Sequence, residues 1–463
     1  MLPNSFSKRM KTLLKEEYDI FVKSYLDKNI RSLRYNNNRI NEQGFINIFS
    51  ESITKIEYDK EGFYLNSDEK FGYHPHYLSG MYYLQDPAAM IPVNCIDIKE
   101  DYKVLDLCAA PGGKTFQISS RLTDGLLISN ELNISRNKTL QSNIERLGLD
   151  NVIITSMDSK KIGTNYQNSF DAVFVDAPCS GEGMFRKYPE TIDEWSDNKV
   201  LKCAEIQSRL LNDIKDTVKK NGYIVYSTCT YSLEENEMII DEFLKNNDFI
   251  LVDIPDTIKK YTTEGYLLNS NIELSKCRRF YHHKNKGEGQ FVAVLKRISD
   301  NNFSNKNKTI NMKLSIEEER IVNEFLNNTL IDKELKVLKY KDNIVSINMK
   351  DLNILPNNIV ACGVKIGEIQ KGRIIPHHHF FTAYGKHFKN KLDLLLDDKR
   401  LVEYLKGNVI DSEINNGYGV VLVNGCTLGG FKAVNNTLKN HYPKGLRIHN
   451  YYLNKEEIES QIE

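Results

Sequence analysis

Between residues 101 and 298, which we assign to one core domain, short apolar runs alternate with segments of helical periodicity. The helical segments include SRNKTLQSNIERLG, which ends at Gly148, a residue that commonly stops helices. Apolar, β-rich runs that alternate with helices are typical of a parallel sheet covered on both faces. The final run, QFVAVLKRI, follows a polar turn, so we expect it to enter the sheet antiparallel. The other apolar runs are KVLDLCAA, GLLISNE, NVIITSMD, FDAVFVDAP and GYIVYSTC.

The flanking regions differ from this α/β pattern. Residues 1–100 contain a basic helical pattern followed by an aromatic-rich stretch. Residues 299–313 are polar and aperiodic, which predicts a linker. We assign 314–390 to an intermediate domain. In 391–463, the stretch YGVVLVNGCTLGGF predicts a strand, a turn and a second strand in a β-rich module.

Charge and cysteine usage exclude several classes of protein. The 463 residues include 62 basic and 62 acidic side chains, so a nucleic-acid partner would have to meet a local basic patch. Eight widely spaced cysteines without a C-x-x-C pair argue against a disulfide scaffold or a structural zinc site. Apolar runs do not approach the ~20 residues of a membrane span. The N-terminal residues also lack a signal-like apolar run. We therefore expect a cytoplasmic protein without a membrane partner.

A glycine-rich turn joins the first predicted strand of the core to a helix. The segment VLDLCAAPGGKT runs from Val104 to Thr115. It departs from the phosphate-binding pattern G-x-x-x-x-G-K-[ST], because Cys108 replaces the first glycine, and it lacks the G-x-G-x-x-G fingerprint. Ligands of open α/β sheets bind at the carboxyl ends of the strands, where such a turn lies. The segment indicates a nucleotide-like ligand and argues against an ATPase.

Acidic residues end the next three predicted strands. Glu131 is placed to bind ribose hydroxyls, Asp158 to meet an adenine edge, and Asp176 lies at the end of the fourth strand. This series favours a ligand with an uncharged ribose and base and no pyrophosphate, a description that S-adenosyl-L-methionine fits. The alternative is that Glu131 and Asp158 only cap helices.

Two cysteines follow adjacent predicted strands at the same edge. Cys179 stands in VDAPCSGEG and Cys229 in VYSTCTYS. Ser232 and Glu235 match a capping box and predict a helix beginning near Leu233, which would favour a thiolate at Cys229. The remaining cysteines other than Cys108 are interpreted as small buried side chains. These are Cys95, Cys203, Cys277, Cys362 and Cys426.

A thiolate beside a methyl donor has a specific use. Ring carbon C5 of cytosine is a poor nucleophile, but thiolate addition at C6 makes C5 enamine-like and able to accept a methyl group. The enzyme must then remove the C5 proton and expel the thiolate. Two thiols in one site therefore suit an attacker and a group that assists release.

These motifs resemble the Sun-type, nucleolar-protein-like RNA 5-methylcytosine methyltransferases. The resemblance runs from near residue 30 to 297, and its paired Pro-Cys and Thr-Cys motifs are highly specific. It implies a Rossmann-like S-adenosyl-L-methionine methyltransferase core, with a mostly parallel seven-stranded sheet and an N-terminal α+β extension that binds RNA. The stretches that carry it are DLCAAPGGKT, NIERLG, DAPCSGEGMFRK, YSTCTYSLEENE, HPHYLSGMYYLQDPAAM and GEGQFVAVLKR.

The resemblance also implies roles for individual residues. Cys229 would be the nucleophile and Cys179 would assist release. In DNA cytosine methyltransferases the Pro-Cys thiol attacks instead, so this assignment depends on the resemblance as well as on position. Asp176 would also hydrogen-bond the cytosine, and Lys114 would orient the site. The implied cofactor contacts are Cys108, Ala109, Ala110, Pro111, Gly112, Gly113, Lys114, Glu131, Asp158 and Asp176.

A basic cluster near the C-terminus predicts a second RNA contact. Its members are Lys432, Lys439, Lys444 and Arg447, interleaved with aromatic residues and glycine. A solvated face is the alternative. The region resembles the PUA-like RNA-binding module of the RsmF-type (YebU-like) branch, and GEIQKGRIIPHHHF and LKNHYPKGLR match that branch. This resemblance implies small-subunit (16S) ribosomal RNA, free or assembled, as the substrate.

Two other functions remain open: cytosine-C5 methylation of transfer RNA, and a non-catalytic RNA-binding role in ribosome assembly. We expect a monomer. The consecutive residues His377, His378 and His379 are candidate metal ligands. However, consecutive residues of a strand point to alternate faces, and no nearby acid or cysteine completes a site. We therefore expect no metal.

Overall fold

The computed structural model describes residues 2–67, 70–300, 312–331, 334–348 and 358–448. Over these residues, the strands form four sheets. The predicted linker falls largely on 301–311, which lie outside the described residues, so the predicted domain boundaries stay predictions.

The N-terminal region is an α+β unit. Its four strands form an antiparallel sheet in the order β2-β3-β1-β4. The aromatic-rich stretch of the sequence supplies β4, and its residues Phe71, Met81 and Tyr82 join the apolar core behind the sheet. Its elements are α1 (Asn4–Leu14), α2 (Tyr18–Lys23), β1 (Ser32–Tyr35), α3 (Glu42–Phe49), β2 (Ile53–Lys55), β3 (Gly62–Leu65), α4 (Pro75–Leu78), β4 (Tyr82–Leu84) and α5 (Ile91–Asn94).

The central region alternates strands and helices, as the sequence predicts. Successive strands and helices build one large twisted sheet with helices on both sides. The elements are β5 (Lys103–Asp106), α6 (Gly113–Ser119), β6 (Leu126–Asn130), α7 (Ile134–Leu147), β7 (Val152–Thr155), α8 (Ser159–Asn165), β8 (Phe170–Asp176), α9 (Glu190–Asp193), α10 (Asp197–Ile214), β9 (Val218–Thr228), α11 (Glu237–Asn246), β10 (Phe249–Val252), α12 (Asp256–Lys259), β11 (Thr263–Glu264), β12 (Arg278–Phe280) and β13 (Gln290–Arg297).

Alternate residues of the central strands enter two different apolar cores. In β6, Leu126 and Ile128 pack into the core on one face of the sheet, and Leu127 packs into the core on the other. In β8, Val173 and Phe174 divide in the same way. Both faces are therefore buried, which explains why these strands are almost continuously apolar.

The C-terminal region contributes two smaller sheets. One has the order β14-β15-β17-β18 and the other β19-β21-β22-β23-β20, in which β21 and β22 form the predicted hairpin. Its elements are α13 (Ile316–Thr329), β14 (Val337–Tyr340), β15 (Asn343–Ser346), β16 (Ile359–Cys362), β17 (Val364–Gln370), β18 (Arg373–Pro376), α14 (His378–Tyr384), β19 (Asn390–Leu394), α15 (Lys399–Lys406), β20 (Ile410–Asp411), β21 (Gly417–Val423), β22 (Cys426–Val434) and β23 (Thr437–Asn440).

Over the described residues, the large sheet has ten strands, three more than the resemblance implies. Strands β7, β6, β5, β8 and β9 are parallel, and β13 joins β9 antiparallel, as expected for the QFVAVLKRI run. With β10, which pairs with β13, these make the seven expected strands. The additions are β12 and β11 beyond β13, and β16, which pairs antiparallel with β7.

The N-terminal region packs against both other regions. Phe6, Met10 and Phe21 share an apolar core with Phe185 and Tyr231 of the central region. On its other side, the N-terminal core includes Cys426 of β22, and the His76 imidazole lies 2.9 Å from the Asn424 amide oxygen. Among the helices of the described residues, none combines the length and the apolar character that crossing a bilayer requires.

Candidate active site

The two motif cysteines lie in contact at the carboxyl edge of the large sheet. Cys179 follows β8, and Cys229 directly follows β9, the neighbouring parallel strand. Their Sγ atoms are 3.2 Å apart, and both side chains are partly exposed. The structure thus brings together two thiols separated by 50 positions in the sequence, with access to solvent.

The surroundings of Cys179 shift the pKa of its thiol. Its contact with the Cys229 sulfur and its burial raise the pKa of the Cys179 thiol well above the ordinary value. Cys179 therefore keeps its proton near neutral pH and can donate its S–H toward a thiolate at Cys229. This arrangement suits Cys229 as the attacking sulfur.

The capping-box prediction after Cys229 is wrong. Helix α11 begins at Glu237, four residues later than expected. The Glu235 backbone N–H does donate to Ser232 Oγ at 3.2 Å, but the Glu235 carboxylate turns away. It accepts hydrogen bonds from the Ser180 backbone N–H at 2.9 Å and from Gln207 Nε2 at 3.0 Å. Glu235 therefore links the loop after β9, which carries Cys229 (the Cys229 loop), to the loop after β8, which carries Cys179 (the Cys179 loop).

A second buried carboxylate makes a similar link. Glu182 follows Cys179 by three residues, and its Oε2 accepts the backbone N–H of Tyr231, two residues after Cys229, at 3.1 Å. The Gly183 N–H also donates to the Cys229 carbonyl at 2.9 Å. Glu182 was not singled out from the sequence, and Glu235 was singled out only as a helix cap. Their signal was available, because both belong to the polar loop stretches SGEG and SLEE that flank the cysteines.

Lys114 and Asp176 form an ion pair beside the thiols. Lys114 Nζ lies 2.7 Å from Asp176 Oδ2, and the lysine is buried whereas the aspartate is 38% exposed. Ser227 at the end of β9 donates to Asp176 Oδ1 at 2.8 Å. The carboxylate is thus held in a fixed orientation and still faces solvent, as a group that meets a substrate must.

Hydrogen bonds with α7 and with the end of β6 hold the glycine-rich turn in place. Gly112 has φ of +110°, a conformation that favours glycine, and α6 begins at Gly113. Helix α7 reaches over the turn, where Arg136 donates to the Ala110 carbonyl at 2.7 Å and Asn143 to that of Pro111 at 2.9 Å. The Ala109 N–H donates to the Asn130 carbonyl at 2.9 Å. The turn is therefore preorganised.

The acids that follow β6 and β7 differ in their surroundings. Glu131 is buried, and its Oε1 accepts the Asn133 N–H at 2.9 Å. Its Oε2 accepts no hydrogen bond and lies 3.5 Å from Arg136. Asp158 is exposed and caps α8 by accepting the Lys160 N–H at 3.0 Å, so the capping interpretation holds for this residue. A contact between Asp158 and adenine stays a prediction.

Asp106 and Cys108 lie next to the glycine-rich turn, and both have a raised pKa. Asp106, at the end of β5, is fully buried, and burial raises its pKa to about 7. Its Oδ2 accepts from Thr115 Oγ1 at 2.7 Å, while Oδ1 has no hydrogen-bond partner. Burial also raises the pKa of the Cys108 thiol, so this cysteine is a neutral lining residue. Lys114 and Thr115 thus bond to Asp176 and Asp106 respectively, unlike the phosphate ligands of an ATPase.

The basic residues of the C-terminal region occupy two places. Lys432 and Lys439 are opposite each other on β22 and β23. Lys444 is exposed in a short 3-10 helix, Lys444–Leu446, and Arg447 follows it. The structure places the two strand lysines as direct neighbours, and the role of the cluster in RNA binding stays a prediction.

The three histidines do not lie in a strand, which corrects the geometric argument made from the sequence. His377 caps α14, whose first residues are His378 and His379. His379 is buried, with Nε2 3.1 Å from the Leu149 carbonyl, and burial lowers its pKa to about 3. The run joins α14 to the loop after α7, and the expected absence of a metal stays a prediction.

Three family models match the sequence in consecutive stretches. Residues 2–87 match the N-terminal domain of 16S rRNA methyltransferase RsmF, and 93–296 match 16S rRNA methyltransferase RsmB/F. Residues 391–448 match the methyltransferase RsmF PUA domain.

Individual proteins are similar over nearly the whole chain. The ribosomal RNA small subunit methyltransferase F of Vibrio vulnificus (strain YJ016) is 30% identical over 96% of this chain and 97% of its own length. The protein of the same name from Vibrio atlanticus (strain LGP32) is 31% identical with the same coverage. A methyltransferase homolog protein from Pyrococcus horikoshii, of known structure, is 28% identical with a TM-score of 0.54. That match covers 61% of this chain and 91% of the other. Together with the paired thiols at the carboxyl edge of a methyltransferase sheet, these similarities show that the chain belongs to the RsmF family of methyltransferases.

Proposed function

We propose that this protein methylates C5 of a cytosine in small-subunit (16S) ribosomal RNA, with S-adenosyl-L-methionine as methyl donor. The observation that carries the proposal is the Cys179–Cys229 pair. Its sulfurs lie 3.2 Å apart at the sheet edge that also holds Lys114 and Asp176. Methyl transfer to oxygen or to an amine requires no thiol, whereas transfer to C5 of cytosine requires one that attacks and a group that assists release.

Cys229 makes the covalent bond. Its thiolate adds to C6 of the cytosine, and the electron pair of the C5–C6 double bond moves toward C5 and the ring. Cys179 keeps its proton, because contact with Cys229 and burial raise the pKa of its thiol. Its S–H stabilises negative charge on the neighbouring sulfur before attack and after expulsion.

Asp176 and Lys114 hold the base. The partly exposed Asp176 carboxylate accepts a hydrogen bond from the exocyclic amine of cytosine, while Ser227 and Lys114 fix its orientation. Lys114 also places a positive charge where electron density accumulates on the ring as the thiolate adds. These two residues therefore stabilise the charge that develops during attack.

S-adenosyl-L-methionine, when bound, supplies an electrophilic methyl group for C5. After C5 is methylated, its proton passes to a water molecule from solvent, which reaches the partly exposed thiols. The electron pair of the C5–H bond then forms the C5–C6 double bond as the C6–S bond breaks and its electron pair leaves with sulfur. Cys229 leaves as a thiolate. Cys179 assists by donating a hydrogen bond from its S–H group to that sulfur and keeps its proton. The site is restored without a net change in either cysteine.

The donor chemistry of the glycine-rich edge fits this cofactor. Glu131 Oε2 is buried without a hydrogen-bond partner, and a ribose hydroxyl would supply one. The positive φ of Gly112 lets the turn approach a ligand closely. The residues that would hold the cofactor are Cys108, Ala109, Ala110, Pro111, Gly112, Gly113, Lys114, Glu131, Asp158 and Asp176.

Two observations support ribosomal RNA as the substrate. The similar proteins from Vibrio bear that name over nearly the whole length of this chain. The C-terminal region, which matches a PUA domain, presents Lys432 and Lys439 as neighbours suited to phosphate contacts. We propose that the protein acts in the cytoplasm as a monomer, with RNA as its partner.

The test is labelled methyl transfer to purified RNA. Protein and methyl-labelled S-adenosyl-L-methionine are incubated with 16S RNA, with small subunits and with transfer RNA, and the products are mapped by bisulfite sequencing. We expect 5-methylcytosine in the 16S RNA or the small subunit. Labelled transfer RNA alone would identify the substrate as transfer RNA, and absence of label from every RNA would support a non-catalytic role.

A further inference from the structure

Arg9 contacts both cysteine loops from outside the methyltransferase unit. It lies on α1, the first helix of the N-terminal region. Its guanidinium pairs with Glu182 of the Cys179 loop and lies 3.7 Å from Glu234 of the Cys229 loop. One planar cation therefore bridges an acid from each loop, a geometry that suits the fork of an arginine.

The acid that Arg9 binds is at the centre of the junction between the loops. Glu182 has no exposed side-chain surface. Besides Arg9, it accepts hydrogen bonds from Trp195 Nε1 at 3.0 Å and from the Tyr231 N–H at 3.1 Å. Burial raises the pKa of Glu182 to about 7, and the charge of Arg9 opposes that rise. Without the arginine, the carboxylate would be a buried anion with no cation beside it.

Apolar packing fixes the helix that carries Arg9. Phe6 meets Phe185 and Trp195 with ring centroids 5.1 and 6.0 Å apart, and Phe21 of α2 meets Tyr231 at 5.5 Å. The Arg9 guanidinium also lies 5.5 Å from the centre of the Trp195 ring. Helices α1 and α2 are thus anchored on residues that flank Cys179 and Cys229.

We propose that Arg9 is a positioning residue that acts through Glu182 to fix the separation of the two catalytic thiols. The inference rests on the proposed function, since it assigns the N-terminal region a part in setting the geometry of attack and release. Loss of Arg9 would leave the buried Glu182 carboxylate without its cation and loosen the bond to Tyr231, two residues from Cys229. A displacement of about 1 Å between reacting groups can lower a rate by about 100-fold.

The test uses two readouts on the full-length protein. The first is the single-turnover rate of methyl transfer to 16S RNA, with the KM for RNA measured separately. The second is the rate at which diamide, a thiol oxidant, links Cys179 to Cys229. Diamide takes up the two thiol hydrogens to become a hydrazine, and the disulfide is quantified by mass spectrometry of the linked peptides. This second rate reports the proximity of the thiols whether or not RNA is methylated.

The variants are Arg9→Gln, Arg9→Lys and, as a control on the same helix, Lys8→Gln, which removes an exposed cation. For Arg9→Gln we expect both rates to fall by about tenfold or more, with the KM for RNA within about twofold of wild type. Arg9→Lys keeps the charge without the fork and should recover part of each rate. Lys8→Gln should keep both.

Wild-type rates of disulfide formation in Arg9→Gln would overturn the inference, as would an equal loss in Lys8→Gln. A loss confined to RNA affinity would make Arg9 an RNA contact and would also overturn it. If wild-type protein forms the disulfide rapidly but methylates no RNA, the proposed function fails. In that case the disulfide rates still decide whether Arg9 positions the thiols.

Discussion

Lys114 Nζ lies 2.7 Å from Asp176 Oδ2, and this ion pair joins the first turn of α6 to the end of β8. The pair lies between the glycine-rich turn and the loop that carries Cys179. Because Asp176 keeps more than a third of its surface exposed, the carboxylate can meet a substrate without breaking the pair.

Asp176→Asn should lower the rate of methylation by about 100-fold, the usual contribution of a positioned polar group to such a step. The asparagine amide keeps the shape of the side chain but lacks the negative charge that pairs with Lys114. It also lacks the carboxylate oxygen that accepts a hydrogen bond from the cytosine amine. Asp171→Asn, at the opposite end of the same strand, removes an ion pair with Lys219 and should leave the rate near wild type. Single-turnover transfer of a labelled methyl group measures both variants.

Substitution of each cysteine in turn distinguishes the catalytic roles of the two thiols. Cys229→Ala should abolish methylation and any covalent adduct, whereas Cys179→Ala should attack, methylate and then stall. On a denaturing gel, the stalled protein should migrate as a slow band that contains RNA and one labelled methyl group. Cys203→Ala, a buried cysteine of α10, serves as control and should behave as wild type. A trapped band in Cys229→Ala, with none in Cys179→Ala, would reverse the assignment.

Removal of the Glu131 carboxylate should weaken cofactor binding. A hydrogen bond to a charged group contributes about 1.5–3 kcal/mol, so Glu131→Ala should raise the Kd for S-adenosyl-L-methionine by about tenfold or more. Glu131→Gln preserves the size of the side chain and should have a smaller effect. Glu205→Ala, exposed on α10, is the matched control. Calorimetry that gave an unchanged Kd for Glu131→Ala would remove this residue from the site.

Charge reversal tests the C-terminal basic cluster. The double variant Lys439→Glu with Lys444→Glu should bind RNA more weakly. The slope of log affinity against log salt should fall by about 1.4 if both lysines contact phosphates of single-stranded RNA. Lys99→Glu with Lys220→Glu changes the same charge at the amino edge of the sheet and should keep the wild-type slope. An equal slope in all three proteins would mean that the cluster is only a solvated face.

The Arg279–Glu237 pair offers a test of stability. Both side chains are almost fully buried, with Arg279 Nε 2.7 Å from Glu237 Oε1 and Arg279 Nη1 2.8 Å from the Tyr231 carbonyl oxygen. Arg279→Met leaves a buried carboxylate unpaired and should destabilise the protein by about 3–5 kcal/mol. Adding Glu237→Met should recover part of that loss. Denaturant unfolding of the single and double variants measures it, and equal stability of the single variant and wild type would contradict the expectation.

The core of the fold was predictable because its signal is local. Each buried parallel strand is a short apolar run, and its two-residue periodicity is hidden by burial on both faces, as Leu126, Leu127 and Ile128 show. The positions of Cys179 and Cys229 followed from the same pattern, since the carboxyl ends of parallel strands meet at one edge.

Other features depend on contacts between distant parts of the chain. The local sequence around Glu235 matched a capping box, but the Glu235 carboxylate instead accepts a hydrogen bond from the buried Ser180 backbone N–H in the Cys179 loop. Arg9 gave no sign of its role, because its partner Glu182 lies 173 positions away. The extra strand β16 was equally hidden, since only the finished sheet offers β7 as its partner.

Strand β16 pairs with β7 at one edge of the large sheet and is formed by residues from beyond position 298. Its Ile359 and Cys362 lie in the same apolar core as Ile153 of β7. A protein shortened to its catalytic unit would therefore expose an unpaired, strongly apolar strand, the kind of surface that recruits strands from other molecules. For crystallisation or biotechnology, a shorter enzyme that ends at the apparent interdomain boundary would be less soluble. In the chain with its C-terminal region, β16 covers the edge of β7 and prevents self-association through that edge.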